Sequence, residues 1–334
     1  IETQTVEGVD LLDPNVADDR DALCEVLGQA TEIVTSLPSV DFYARGQASP
    51  ASFIAQALQD QGGPAALVYA AENHNHAAEI LAQRIDALLG DKRGRPRQFL
   101  NTVIGKMSQV VTEPQRIARL GLAPIAPGVG RAFLVEQFNR ILVSRTTLGG
   151  AEPGIGTFIE KDDLLPFEEA KLYGHNAIHA LLAYVGAARG HERMADVRQD
   201  AELMDIARTA FLEESGAALI ARYAGVDPLF TPEGWRDYAA DLLERMTNPW
   251  LDDTIERAGR DPIRKLGFED RIFGTMQRVL ACGRQPAGMA LAAAAAVLAV
   301  LKAPDGYGFD AAARVTGPDN LTADAINTVL RRAW

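Results

Sequence analysis

Within the apolar stretch "KLYGHNAIHALLAYVG", residues 171–186, four polar side chains stand out: Lys171, His175, Asn176 and His179. A lysine, two imidazoles and a carboxamide can together move a proton and hold an oxygen on which charge develops. At an α-helical step of about 100° per residue the four share an arc of roughly 140°. Leu172, Ile178, Leu181, Leu182 and Val185 supply the packing surface of the same helix. Four polar groups gathered on one side of a core-packing helix imply a ligand. An amine such as that of Lys171 serves as a base near neutrality only where burial or neighbouring positive charge lowers it. The plainer alternative is a surface lysine lying along an amphipathic helix. His175 and His179 also have the i,i+4 spacing of metal ligands, and His74 and His76 add two imidazoles. The glutamate of H-E-x-x-H is missing, so a zinc centre is the weaker reading.

A second concentration of chemistry is "NPWLDDTIERAGRDPIRKL", residues 248–266, which holds Arg257, Arg260, Arg264 and Lys265. Guanidinium forks match a phosphate dianion in a bidentate way, which gives Arg260 and Arg264 a physical role. The competing expectation is that at least one of them pairs with Glu256, Glu269 or Asp270.

Such side chains need elements to position them. "ATEIVTSLP" (30–38), "AALVYAAEN" (65–73) and "RQFLNTVIG" (97–105) read as buried strands, and "AFLVEQFNRILVS" (132–144) as further strand structure. Ser52–Leu58 and "HAAEILAQRIDALL" (76–89) read as helices between them, so a parallel sheet is expected. The glycine-rich "TTLGGAEPGIG" (146–156) marks a boundary, which divides the chain into residues 1–150 and 151–334. From about Leu164 the pattern is helical, over Phe167–Gly186, Ala201–Tyr223, Trp235–Arg245, Arg271–Leu280 and Gly288–Leu301. The fold class is α/β plus all-α: a Rossmann-type sheet domain followed by a mostly helical domain. No G-x-G-x-x-G follows a strand, so the Rossmann-type sheet is expected to be incomplete, lacking its first βαβ segment because the sequence starts late.

The 334 residues are 47% hydrophobic and 23% charged, with 33 Lys plus Arg against 45 Asp plus Glu. The net charge of −12 argues against a nucleic-acid-wrapping surface. Cys24 and Cys282 make no disulfide framework, so a reducing compartment, the cytoplasm, is expected. The start "IETQTVEGVD" has neither the basic nor the apolar region of a signal peptide. "MALAAAAAVLAVL" (289–301) is too short to span a bilayer, and no membrane association is expected.

Lys171-x4-Asn176-x2-His179, "FLEESGAALIARY" (211–223), "NPWLDDTIERAGRDPIRKL" and "EDR" (269–271) together resemble the polyol-specific long-chain dehydrogenases, the mannitol dehydrogenase family. The likeness runs from near "TVEGVD" to about residue 300 and is nearest to the mannitol-1-phosphate 5-dehydrogenase branch. It implies a metal-independent oxidoreductase that moves hydride between NAD or NADP and a polyol phosphate, and it implies a monomer. It assigns Lys171 as base or acid by direction, Asn176 with Asn73 as an oxyanion-binding pair, and His179 as a substrate-orienting group. His175 would support these from behind. Asn248, Arg257, Arg260, Arg264 and Lys265 become substrate contacts, and Thr35, Ser36 and Leu37 become contacts to the cofactor. The family's usual Asp-Arg falls on Gly105 and Lys106, a replacement expected to alter how Lys171 is oriented or charged. Related readings are a hexuronate or free-polyol dehydrogenase, or a non-catalytic binding protein if the glycine-rich loop is truly lacking.

Overall fold

Residues 1–46, 48–137 and 140–334 are described by the computed structural model. The strands are β1 (Glu32–Thr35), β2 (Ala66–Ala70), β3 (Arg97–Ile104), β4 (Ser108–Val111), β5 (Ala132–Val135), β6 (Ile141–Ser144) and β7 (Phe158–Lys161). One sheet has the order β1-β2-β3-β6-β7, and β4 with β5 forms a separate two-stranded sheet. β1, β2 and β3 are parallel, β6 is antiparallel to β3, and β7 is parallel to β6. The antiparallel join departs from the all-parallel sheet that the strand–helix alternation suggests. A parallel join needs a crossover laid over the sheet. Between β3 and β6 the chain instead makes β4, a short helix at Pro114–Leu120 and β5. Within the expected strand run 132–144, residues 138 and 139 lie outside the described residues.

β2, "ALVYA", is buried along its whole length, as a central strand covered on both faces must be. The alternation of its side chains separates two cores. On one face Val68 packs with Ile33 of β1, Tyr43 of the turn Val40–Ala44, and Ile54, Leu58, Leu81, Ile85 and Leu89 from the flanking helices Pro50–Leu58 and Ala77–Leu89. On the other, Leu67 and Tyr69 pack with Leu100 and Val143. A helix the sequence pattern does not announce, Ala17–Gln29, buries none of its own residues. Its carboxyl end is held from outside: Arg95 donates to the carbonyls of Leu27 and Gly28 at 2.9 and 2.8 Å.

The chain divides into two compact units, Ile1–Lys106 with Val110–Leu165, and Met107–Gln109 with Pro166–Trp334. The second is helical. Its central helix, Asn176–Ala188, packs against the alanine-rich helix Ala287–Lys302, whose small side chains allow close approach. Around them lie Ala201–Thr209, Ala217–Arg222, Pro232–Met246, Phe273–Ala281 and Ala323–Ala333. Two stretches wind as π turns, Ala170–His175 before the central helix and Ala210–Gly216 before Ala217–Arg222. The helical spacing of the sequence leads one to expect ordinary α-helix at both places.

Each π turn contains a carbonyl bonded by a side chain from elsewhere, one of the known causes of a break in the helical ladder. In the first, Thr275 donates to the carbonyl of Tyr173 at 3.2 Å. In the second, the indole of Trp235 donates to the carbonyl of Phe211 at 2.8 Å. The Glu214 carboxylate is buried and accepts from the backbone N–H groups of Gly288 and Met289 at 2.6 and 3.1 Å. It thereby satisfies orphan donors at the start of Ala287–Lys302 and meets the positive end of that helix's dipole.

Candidate active site

Lys171 sits on the first π turn, and the N–H of Asn176 donates to the Lys171 carbonyl five residues back. On an α-helix residues five apart point about 140° from each other; a π turn, with its i to i+5 bond, brings them towards one side. The spacing Lys-x4-Asn thus makes sense on a π turn. From Asn176 the ordinary α-helix resumes, and His179 follows one turn on.

Burial is the main influence on the Lys171 amine. Together with the nearby Arg271 guanidinium it lowers the amine to about 8, against a smaller upward pull from Glu168. His175 is buried, and burial followed by the neighbouring His179, Lys171, Arg245 and Arg271 pushes it far below the usual imidazole range. It is a neutral side chain whose ring centroid lies 6.4 Å from that of His179. Asn176 and His179 are half-buried. The His179 Nε2 atom is itself enclosed, has no hydrogen-bond partner among the described residues and lies 3.4 Å from Asp253 Oδ2.

Asp253, absent from the sequence reading, is 7% exposed and accepts from Arg257 Nε at 2.6 Å. Burial works against its charge, yet His179 and Arg257 outweigh it and hold the carboxyl below its ordinary range. Lys265 is buried, and its Nζ donates to the carbonyl of Ala258 at 2.5 Å and lies 5.7 Å from the Tyr184 ring. Burial, then Arg271 and Arg264, bring this second amine to about 8 as well. Arg271 is the cation common to Lys171, His175 and Lys265; its Nε lies 2.7 Å from Asp270. Arg271 stood in the quoted "EDR" without a role. Its only signal was its place beside Asp270, since a partner supplied by another segment leaves no periodicity.

The remaining basic residues lie further out. Arg260 is exposed and donates from Nε to the Arg257 carbonyl at 3.3 Å. Arg264 is exposed and lies 3.3 Å from Asp270 Oδ2. Asn248 caps the turn Pro249–Leu251, its Oδ1 accepting from the N–H of Trp250 at 3.0 Å. Two non-glycine residues of this segment, Asp252 and Asp261, have left-handed backbone at φ 50° and 56°, a conformation concentrated at functional segments. Among the described residues no group of three or more His, Cys, Asp or Glu is placed to hold a metal ion.

In the first unit Thr35 is buried and its hydroxyl donates to Glu72 Oε2 at 3.0 Å, while the Leu37 N–H donates to Glu72 Oε1 at 2.9 Å. Tyr43 also donates to Glu72, and burial together with that bond pushes its phenol upwards. The loop after β1 is therefore braced from inside by one carboxylate. Ser36 and Asn73 are exposed at the carboxyl ends of β1 and β2, the edge at which parallel sheets take ligands. Thr35 and Leu37 hold the loop in place through their bonds to Glu72.

Residues 163–306 match the mannitol dehydrogenase C-terminal domain. The chain is 31% identical over 325 residues to a mannitol-1-phosphate 5-dehydrogenase of Pseudarthrobacter chlorophenolicus, covering 90% of this chain and 79% of that protein. It is 33% identical over 239 residues to one of Paenarthrobacter aurescens, covering 70% and 57%. This chain thus spans little more than half the length of that second relative. Among solved structures, mannitol 2-dehydrogenase of Pseudomonas fluorescens, in a ternary complex with NAD and D-mannitol, superimposes with a TM-score of 0.62 at 21% identity. That match covers 93% of this chain and 67% of that one.

Proposed function

The chain belongs to the mannitol dehydrogenase family, and we propose that it is an NAD(P)-dependent polyol dehydrogenase acting on a polyol phosphate, interconverting mannitol 1-phosphate and fructose 6-phosphate. The observation that carries this reading is the half-buried Lys171 side chain, its amine lowered to about 8 mainly by desolvation, on a π turn that brings it towards the side of Asn176.

Oxidation of a secondary alcohol requires removal of the hydroxyl proton and stabilisation of the oxygen left behind. In its neutral form Lys171 accepts that proton; in reduction the ammonium returns it. The Asn176 amide donates to the reacting oxygen, with Asn73 as its proposed partner. His179 and Arg257 fix the substrate hydroxyls. The nicotinamide, when bound, accepts the hydride that leaves the carbon. Ser36 and the loop braced by Glu72 are proposed to hold the nicotinamide ribose. NAD is the favoured cofactor, being the one bound in the mannitol 2-dehydrogenase that this chain resembles in fold.

Phosphate recognition is assigned to Arg264 and Arg260, aided by Lys265. A related reading, a free polyol as substrate, is favoured by one observation: Arg264 already has Asp270 beside it, and Arg260 already donates to a carbonyl. Turnover of fructose 6-phosphate, fructose and fructuronate separates the readings. Arg264→Ala is expected to raise KM for the phosphorylated sugar at least 10-fold while leaving KM for fructose within about 2-fold, as loss of a charge-assisted contact of 1.5–3 kcal/mol requires. Equal changes on both would remove Arg264 from phosphate binding. The two unpaired cysteines, Cys24 and Cys282, suit a reducing compartment such as the cytoplasm. Among the described residues no helix is long and apolar enough to cross a membrane.

A further inference from the structure

We propose that Asp253 is a positioning residue that sets the tautomer of His179 and the aim of Arg257, so that one buried carboxylate governs two substrate contacts. What those contacts bind rests on the polyol dehydrogenase reading; the role of Asp253 itself does not.

The carboxylate divides its two oxygens. Oδ1 accepts from Arg257 Nε at 2.6 Å, and Oδ2 faces His179 Nε2 at 3.4 Å. A carboxylate repels the lone pair of a neutral imidazole and attracts its N–H. Nε2 is enclosed and has no other partner among the described residues, so the ring proton belongs on Nε2. Nδ1 is then an acceptor, suited to a substrate hydroxyl that donates. Arg257 is gripped through Nε, which fixes the plane in which its fork lies.

The backbone around Asp253 is held firmly enough for this task. The Met194 N–H donates to the Asp253 carbonyl at 2.9 Å, and the Ile255 N–H donates to the Glu192 carbonyl at 2.9 Å. Arg193 and Thr254 form an isolated antiparallel bridge between these bonds. Asp252, with its left-handed backbone, turns the chain one residue before and pairs with Arg193. A surface aspartate serving an ordinary helix cap has no need of such bracing.

The test is the ring tautomer, read from long-range 1H–15N spectra of protein labelled with 15N-histidine at about pH 8.5, where an ordinary imidazole is neutral. His179→Gln assigns the signal by its loss. In the unaltered protein the Nε2–H form is expected to dominate; in Asp253→Asn, whose amide donates, the Nδ1–H form is expected to gain. A dominant Nδ1–H form in the unaltered protein would overturn the proposal, and that spectrum decides even if the variant does not fold. In kinetics, Asp253→Asn is expected to lower kcat/KM by 10–100-fold, mostly through KM, the range typical when a group that orients a binding residue is lost. Asp253→Glu is expected to recover part of that. Asp253→Asn combined with His179→Gln should lose less than the product of the two single losses, since only the share of Asp253 that acts through Arg257 remains to be lost, whereas fully additive losses would count against the proposal. If no polyol is turned over at all, the functional reading falls while the tautomer still decides the role of Asp253.

Discussion

Lys171 is held where charging it is costly, and the cost has a pH signature. The amine falls from 10.5 to about 8 on folding, so between those values the unfolded chain binds more protons than the folded one. Stability therefore rises with pH across that window, and the full penalty is present below about 8. Lys171→Met is expected to be more stable than the parent at pH 7 by up to about 3 kcal/mol, the shift converted at 1.36 kcal/mol per unit. The gap should narrow towards pH 10.5, as denaturant midpoints at about pH 7 and 10 would measure. A variant no more stable at pH 7 would mean that the amine is not buried in solution. Lys171, Asn176 and His179 were legible because they share one segment and one spacing. Asp253 and Arg271 were not, since their importance depends on which side chains other segments place beside them.

The elements that carry these groups depend on two π turns and the residues that keep them wound. A Cβ on Gly216 would lie 2.4 Å from Trp235 Nε1 and 2.8 Å from the Phe211 carbonyl oxygen, which is the bond that opens the second turn. Gly216→Ala is expected to destabilise the protein by about 1–3 kcal/mol, the usual cost of overpacking. The same addition at Gly174 meets the Phe211 and Trp235 rings at 3.2 Å, so Gly174→Ala should be milder. Glu214→Gln removes the charge that faces Gly288 and Met289 at a helix start, with an expected loss of about 1 kcal/mol. Thermal or urea unfolding ranks the three. The strands β1, β2 and β3 and the long helices were legible from period and β-branched content. The π turns were not: inserting one residue into a helical turn leaves no mark in an apolar pattern, and its cause lies in donors from Thr275 and Trp235, far along the chain. Helix Ala17–Gln29 escaped for a different reason, since its apolar side is short and only half-buried, with Leu27 packed on the edge of the sheet core.

For the molecule as a whole, a −12 net charge coexists with a local cluster of Arg264, Lys265 and Arg271, interleaved with Asp261 and Asp270, in the second unit, where the proposed function places the phosphate. A ligand held there should stabilise the fold by mass action: fructose 6-phosphate at about 100 times its Kd is expected to add about 2.7 kcal/mol to unfolding, seen as a raised Tm. The same concentration should add far less to Arg264→Ala. The family was legible from residues 171–179 and 248–271 together, whereas the extent of the sheet unit was less so. It runs to Leu165 because β7 pairs with β6 beyond the glycine-rich stretch, and glycine content alone does not show which strand finds a partner. The most direct measurement is the pH dependence of kcat/KM for mannitol 1-phosphate oxidation by the parent protein and by Lys171→Ala. In the parent the rate should rise with pH through one ionisation near 8, as a neutral amine at position 171 requires. In the variant both that ionisation and several orders of magnitude of rate should be gone, with Tm showing that the fold is kept. An unchanged rate and profile in the variant would contradict proton transfer by Lys171.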